Sequence, residues 1–269
     1  TMGFLISARE MLDHMGDFII YDCRYRLTEP EWGREQYEKG HIPGAFFFDL
    51  NKDMASDVGA HGGRHPLPDI DEFVSKLEST GLKDGGKVIC YDDNLSGAAR
   101  MWFLLKYIGF DSALILNGGI QGWIQMGGRL ESGNRERNLN GKLHINLREN
   151  LVVDHEFIHE NRDKMEIVDA REEYRYRGES EPIDKIAGRI PGSINVPYMN
   201  LVDGPYFKDV DEIKKSFREI DKTPVLYCGS GVTSCINYFA LDMLGMHPLL
   251  YAGSYSDWIS YEENPVERD

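Results

Sequence analysis

The stretch Val225-Leu-Tyr-Cys-Gly-Ser-Gly-Val-Thr-Ser-Cys-Ile-Asn-Tyr-Phe-Ala-Leu241 decides how the chain is read. It opens on a continuous apolar run that predicts a buried strand ending at Tyr227. It closes on a pattern that predicts an amphipathic helix starting near Ser234. The six residues between, Cys228 to Thr233, hold two glycines and two hydroxyls. A strand feeding a helix through a short Gly-rich loop is the working unit of a parallel α/β sheet. In such sheets ligands sit at the carboxyl ends of the strands.

The loop's chemistry follows from its backbone. Gly229 and Gly231 have access to conformations closed to other residues. They let successive N–H groups turn toward one point and form an anion nest, reinforced by the helix N-terminus behind it. A cysteine sulfur at that point is held as thiolate, and a persulfide anion would be held the same way. Cys228 is therefore the candidate nucleophile, with Gly229, Ser230, Gly231, Val232 and Thr233 as its loop. The chain has three other cysteines. Cys23 and Cys90 fall in apolar strands and Cys235 in the first turn of a helix, so core packing is the reading for each. No Cys-x-x-Cys pair occurs, which argues against zinc. His61-x-x-x-His65 has metal-like spacing but no third ligand in its Gly-rich surroundings. No metal and no organic cofactor is expected.

Outward from this loop, the chain repeats itself. Asp22-Cys-Arg24 returns as Asp169-Ala-Arg171, and Gly40-His-Ile-Pro-Gly44 as Gly188-Arg-Ile-Pro-Gly192. Ile89-Cys-Tyr91 returns as Val225-Leu-Tyr227, and Gly118 and Trp123 return as Gly253 and Trp258. Pro43 and Asp92 are 49 residues apart, whereas Pro191 and Cys228 are 37 apart. The first repeat thus carries extra residues, placed within Asn51–Asp69 and expected to be a surface loop. The Gly-rich polar stretch between the repeats reads as a linker. The expected organisation is residues 1–126, a linker over 127–149, and 150–269. In each repeat short apolar runs (Phe18–Tyr21, Val88–Tyr91, Ala113–Leu116; Glu166–Val168, Val225–Tyr227, Leu249–Tyr251) alternate with helical patterns (Ile70–Leu77, Ala98–Ile108, Cys235–Leu244). That predicts two α/β domains, each a mostly parallel sheet flanked by helices.

Bulk composition narrows the function classes. The 269 residues carry a formal charge of −15, which argues against a nucleic-acid partner. An anionic substrate would need a local basic site to overcome that field. No run approaches a membrane span, and the N-terminal stretch lacks the basic start of a signal peptide. A cytoplasmic protein is expected.

Two repeats, Asp-x-Arg, Gly-His-Ile-Pro-Gly and Cys-Gly-Ser-Gly-Val-Thr together resemble the tandem-domain rhodanese family of sulfurtransferases along nearly the whole chain. The resemblance implies two rhodanese-like domains, the first catalytically silent. Asp92 stands where the second repeat has Cys228, and a carboxylate cannot carry a transferable sulfur. It implies double displacement: a donor gives its sulfur to Cys228, and a thiol, cyanide or protein cysteine takes it from the persulfide. Gly229-Ser-Gly231 matches members that use 3-mercaptopyruvate rather than the basic loops of thiosulfate enzymes. The family position for clamping the donor carboxylate falls on Arg175, with Arg177 a weaker candidate. A second family arginine, expected shortly after a Glu-Pro pair, is missing from Glu181-Pro-Ile-Asp-Lys185. Three alternatives stand beside this reading: a thiosulfate:cyanide sulfurtransferase, a sulfur-relay or binding module without small-molecule turnover, and a Cys-x5-Arg phosphatase. Ser234, where the phosphatase needs arginine, argues against the last.

Overall fold

The computed structural model describes residues 3–269; Thr1 and Met2, which begin the stretch read above for a signal sequence, lie outside the described residues. The chain forms two compact units. The first holds the chain up to Ser56, Pro68–Arg148 and Gly204–Phe207; the second holds Asp57–Leu67, Glu149–Asp203 and Lys208–Asp269.

Each unit is built on a five-stranded, all-parallel sheet. In the first, the spatial order is Leu5–Ile6, Ala113–Leu116, Val88–Tyr91, Ile19–Asp22, Phe46–Phe47. In the second it is Val152–Val153, Leu249–Tyr251, Thr223–Tyr227, Met165–Asp169, Ile194–Asn195. The two orders are the same, as the repeat requires. The central strands Val88–Tyr91 and Thr223–Tyr227 are apolar on both sides because both faces are covered. The two-residue edge strands were not evident in the sequence, since a run that short has no period to read. The helix Ser234–Met243 is buried from Ser234 to Leu241, so it is an internal helix rather than a surface one.

The two repeated motifs prove to be one interlocked device. Arg171 places Nη2 2.7 Å from Asp169 Oδ2 and donates to Gly188 O at 2.7 Å. This ties the end of one strand to the Gly-Arg-Ile-Pro-Gly turn. Tyr227, on the neighbouring strand, accepts the N–H of Ile190 from the same turn at 3.1 Å. The first unit repeats every step: Arg24 to Asp22 and Gly40 O, and Ile42 N–H to Tyr91. Both arginine–aspartate pairs are buried.

Two connecting segments behave differently from free loops. Of the expected linker, residues 127–148 belong to the first unit and run hydrogen-bonded along it, with Gly133 N–H donating to Glu38 O at 2.8 Å and Gly141 N–H to Glu78 O at 2.7 Å. Within the extra residues of the first repeat, Val58 is exposed, but His65 is buried and 57–67 packs into the second unit. A surface loop therefore describes the exposed run 56–61 of that segment, not the whole, since Asp53, Met54 and Ala55 before it are buried as well.

Replacing Arg171 with leucine should leave Asp169 buried without a counter-charge. The expected loss is about 3–5 kcal/mol, read from urea unfolding of the second unit. A loss below about 1 kcal/mol, the scale of an exposed pair, would contradict the locking role.

Candidate active site

Cys228 sits at the carboxyl end of the central strand of the second unit and is buried. Gly231 N–H donates to its Sγ at 3.1 Å, and Ser234 Oγ lies 3.1 Å away. Ser254 Oγ is 4.0 Å from the sulfur and accepts the Cys228 N–H at 3.1 Å. Burial alone would raise the thiol's pKa. The hydroxyls of Ser234 and Thr233 and the N–H groups of Ser234 and Ser230 outweigh it and hold the thiol below its ordinary value. Cys23 has no such cradle, and burial pushes its thiol well up.

The two loop glycines serve different purposes. Gly231 has φ +85°, the left-handed conformation that turns its N–H onto the sulfur. Gly229 is not left-handed; it is small because a Cβ there would lie 2.5 Å from Arg64 Nη2 and 3.1 Å from Arg175 Nη2. Ser254, at φ +61°, is one of two non-glycine residues with positive φ among the described residues. Its hydroxyl bridges Cys228 N–H and Tyr251 O, which holds that conformation in place.

The segment 57–67 supplies what the sequence reading missed. His61 stacks on Tyr261 with ring centroids 4.0 Å apart, and Gly62 N–H donates to Asp257 Oδ1 at 2.7 Å. Arg64 N–H donates to Ser256 Oγ at 3.1 Å. So anchored, the segment brings His65 Nδ1 to 2.7 Å from Ser230 Oγ, in the cysteine loop itself. It also brings Arg64 Nε to 3.0 Å from Asp184 Oδ1. The two histidines considered as a metal pair thus face different serines, since His61 Nδ1 meets Ser260 Oγ at 2.8 Å. The sequence signal for His65 was its place in the extra residues of one repeat only.

Of the proposed clamp residues, Arg175 lies beside the loop. It is buried, with Nε 2.9 Å from Glu181, Nη1 3.3 Å from Glu172 and Nη2 3.2 Å from Asp184. Arg177 is not brought there: half exposed, it pairs with Glu173, Glu179 and Asp269. His41 stacks on Tyr37 in the first unit and meets Tyr37 O at 2.8 Å, a structural placement.

The first unit preserves the cradle around a different atom. Asp92 Oδ1 accepts N–H groups from Asn94 and Leu95, and Oδ2 accepts that of Ala98. Leu95, with φ +72°, occupies the position of Gly231. The carboxylate fills the nest that in the second unit holds sulfur. Burial pushes Asp92 up to about 7, against the pull of its three N–H donors.

The rhodanese-like domain model matches residues 7–126 and 155–261. The chain belongs to the rhodanese-like family, in two copies. It is 37% identical to the "Probable 3-mercaptopyruvate sulfurtransferase" of Pseudomonas aeruginosa, over 97% of both chains. It is 34% identical to a Mycobacterium tuberculosis protein provisionally named thiosulfate sulfurtransferase SseB, over 98% of this chain and 96% of that one. Among solved structures, the 3-mercaptopyruvate sulfotransferase SseA of Escherichia coli superposes with a TM-score of 0.83 at 29% identity. That match covers 94% of this chain and 99% of SseA. The relatives matched along the whole chain are transferase enzymes of the sulfurtransferase class. Among the described residues no helix is long and apolar enough to cross a membrane.

Two measurements follow from the two cradles. The rate of Cys228 alkylation by iodoacetamide should titrate with a midpoint below that of a free thiol, and Ser234→Ala should raise it. An unchanged midpoint would remove Ser234 from thiolate stabilisation. For Asp92 the sign is set by a folded value above the usual carboxylate value near 4. Between about pH 4 and 7 the folded state keeps a proton that the unfolded state releases, so stability falls as pH rises through that window and the loss is complete above it. Urea unfolding of the wild type should weaken with pH across this range by a few kcal/mol relative to Asp92→Asn. Parallel pH profiles would contradict it.

Proposed function

We propose that this chain transfers sulfur from 3-mercaptopyruvate to a thiol acceptor through a persulfide on Cys228. The observation that carries the reading is the Cys228 sulfur held by the Gly231 N–H and the Ser234 hydroxyl, each at 3.1 Å. The thiolate attacks the donor sulfur and an S–S bond forms. The donor's C–S bond breaks, and its electron pair passes to the carbon as an enolate. The sulfur's proton is transferred to that carbon, so the products are pyruvate and the Cys228 persulfide anion. An acceptor thiolate then attacks the outer sulfur, takes it, and returns Cys228 as thiolate.

The neighbours suit these steps. The N–H nest receives the persulfide's negative charge as it forms. The Ser230–His65 pair supplies a hydroxyl with a titratable partner, suited to donate to the enolate oxygen and recover the proton. Asp92 makes the first unit silent in this chemistry. A small thiol, cyanide or an exposed protein cysteine all fit as acceptors. A thiolate nucleophile also fits a reducing compartment, which supports the cytoplasm as its location.

Release of pyruvate and sulfide from 3-mercaptopyruvate, with dithiothreitol as acceptor, tests the reading. Wild type should turn over, and Cys228→Ser should lose activity by at least about a thousandfold, as removal of a covalent nucleophile does. The SseB relative's name makes thiosulfate the comparison donor, and kcat/KM should be higher for 3-mercaptopyruvate. Turnover that survives Cys228→Ser would defeat the mechanism, and preference for thiosulfate would reassign the donor.

A further inference from the structure

We infer that Asp257 is the positioning residue of the His65–Ser230 pair: its carboxylate holds the segment 57–67 in the second unit and so sets where His65 stands. The inference rests on the sulfur-transfer reading for the proton step that His65 serves.

The contrast between the repeats points to Asp257. Counted from Gly118 and Gly253, Asp257 stands where the first repeat has Gly122, and Tyr251 where it has Leu116. Leu116 and Tyr251 each end the matching strand of their sheet. The segment 57–67 belongs to the second unit, and it is that unit which carries the Tyr251–Asp257 pair.

The carboxylate is spent on this contact. Asp257 is buried, and each oxygen has a neutral donor: Oδ1 accepts the Gly62 N–H at 2.7 Å and Oδ2 the hydroxyl of Tyr251. Two neutral donors offset only part of the cost of burying a carboxylate. The first unit closes the same corner with Leu116 and Gly122 and needs no charge there. Ser256 also accepts an N–H of the segment, that of Arg64, but the bond to Asp257 is charge-assisted and the stronger kind.

The short helix Ser254–Trp258 is a shared anchor. Its Tyr255 and Ser256 N–H groups donate to Cys228 O and Gly229 O, each at 2.9 Å, so it fixes the cysteine loop. Its Asp257 fixes the segment that carries His65. The fit is close: Gly63 has φ +80°, and a Cβ there would lie 2.3 Å from Gly253 O and 2.9 Å from Ser256 Oγ. His65 lies three residues past Gly62, with Nδ1 2.7 Å from Ser230 Oγ, so a shift at Gly62 is passed on to the imidazole.

Hydrogen exchange and turnover test the role together. In Asp257→Ala, residues 57–67 should exchange at least about tenfold faster, the effect of losing one charge-assisted bond. The buried helix Ser234–Met243 should stay as protected as in wild type. Turnover of 3-mercaptopyruvate should lose at least about tenfold in kcat, within what a placed acid–base group contributes. Added to His65→Ala, Asp257→Ala should cost less than about twofold more, because both act through one group. Asp257→Asn, which keeps an oxygen for the Gly62 N–H, should lie between wild type and Asp257→Ala in both readouts, and it decides the matter if the alanine protein does not fold. Faster exchange of 57–67 in a protein that transfers no sulfur would uphold the anchoring by Asp257 and defeat the proposed function. Unchanged exchange of 57–67 in both variants, or full additivity with His65→Ala, would overturn the positioning role.

Discussion

The structure depends on one constraint: a thiol buried at the end of a parallel strand has its pKa lowered by the dipoles around it, against the cost of burial. Burial works against the charge, so the compensation has to come from oriented N–H and O–H groups within hydrogen-bond reach. Gly231 supplies one only because its backbone takes a left-handed turn, and Ser234 supplies another from the first turn of the helix. Ser254 holds the Cys228 backbone from a third side. The strand-loop-helix geometry is thus what holds the Cys228 thiol below its ordinary pKa against burial.

The first unit shows that the nest is a property of the fold rather than of the cysteine. The same turn, with Leu95 left-handed, closes on the Asp92 carboxylate. One cradle closes on a thiol and the other on a carboxylate, and Ala98 stands where the second unit places the Ser234 hydroxyl. The Asp-x-Arg pairs and the Gly-x-Ile-Pro-Gly turns, interlocked in both units, keep the strand ends in register whether or not chemistry follows.

Much of this was legible in the sequence. The repeat, the central strands, the helix after the loop and the place of Cys228 all follow from local patterns of apolar residues and glycines, although that helix reads as amphipathic and is in fact buried from Ser234 to Leu241. Arg64 and His65 did not follow. Their partners Asp184 and Ser230 lie far along the chain, and neither periodicity nor spacing encodes a contact across that separation. Gly229 was read as conformational freedom and turned out to be clearance for two guanidinium groups. Arg177 was a register neighbour of Arg175, but its helix points it to the carboxylates of Glu173 and Glu179.

The central claim is that sulfur rests on Cys228 and on no other cysteine. Mass spectrometry of the protein after brief exposure to 3-mercaptopyruvate, with fragment ions placing the added sulfur, addresses it directly. The account predicts a gain of about 32 Da, one sulfur atom, at Cys228, and none at Cys23, Cys90 or Cys235. An adduct at Cys235 or elsewhere, or none under conditions of turnover, would contradict it.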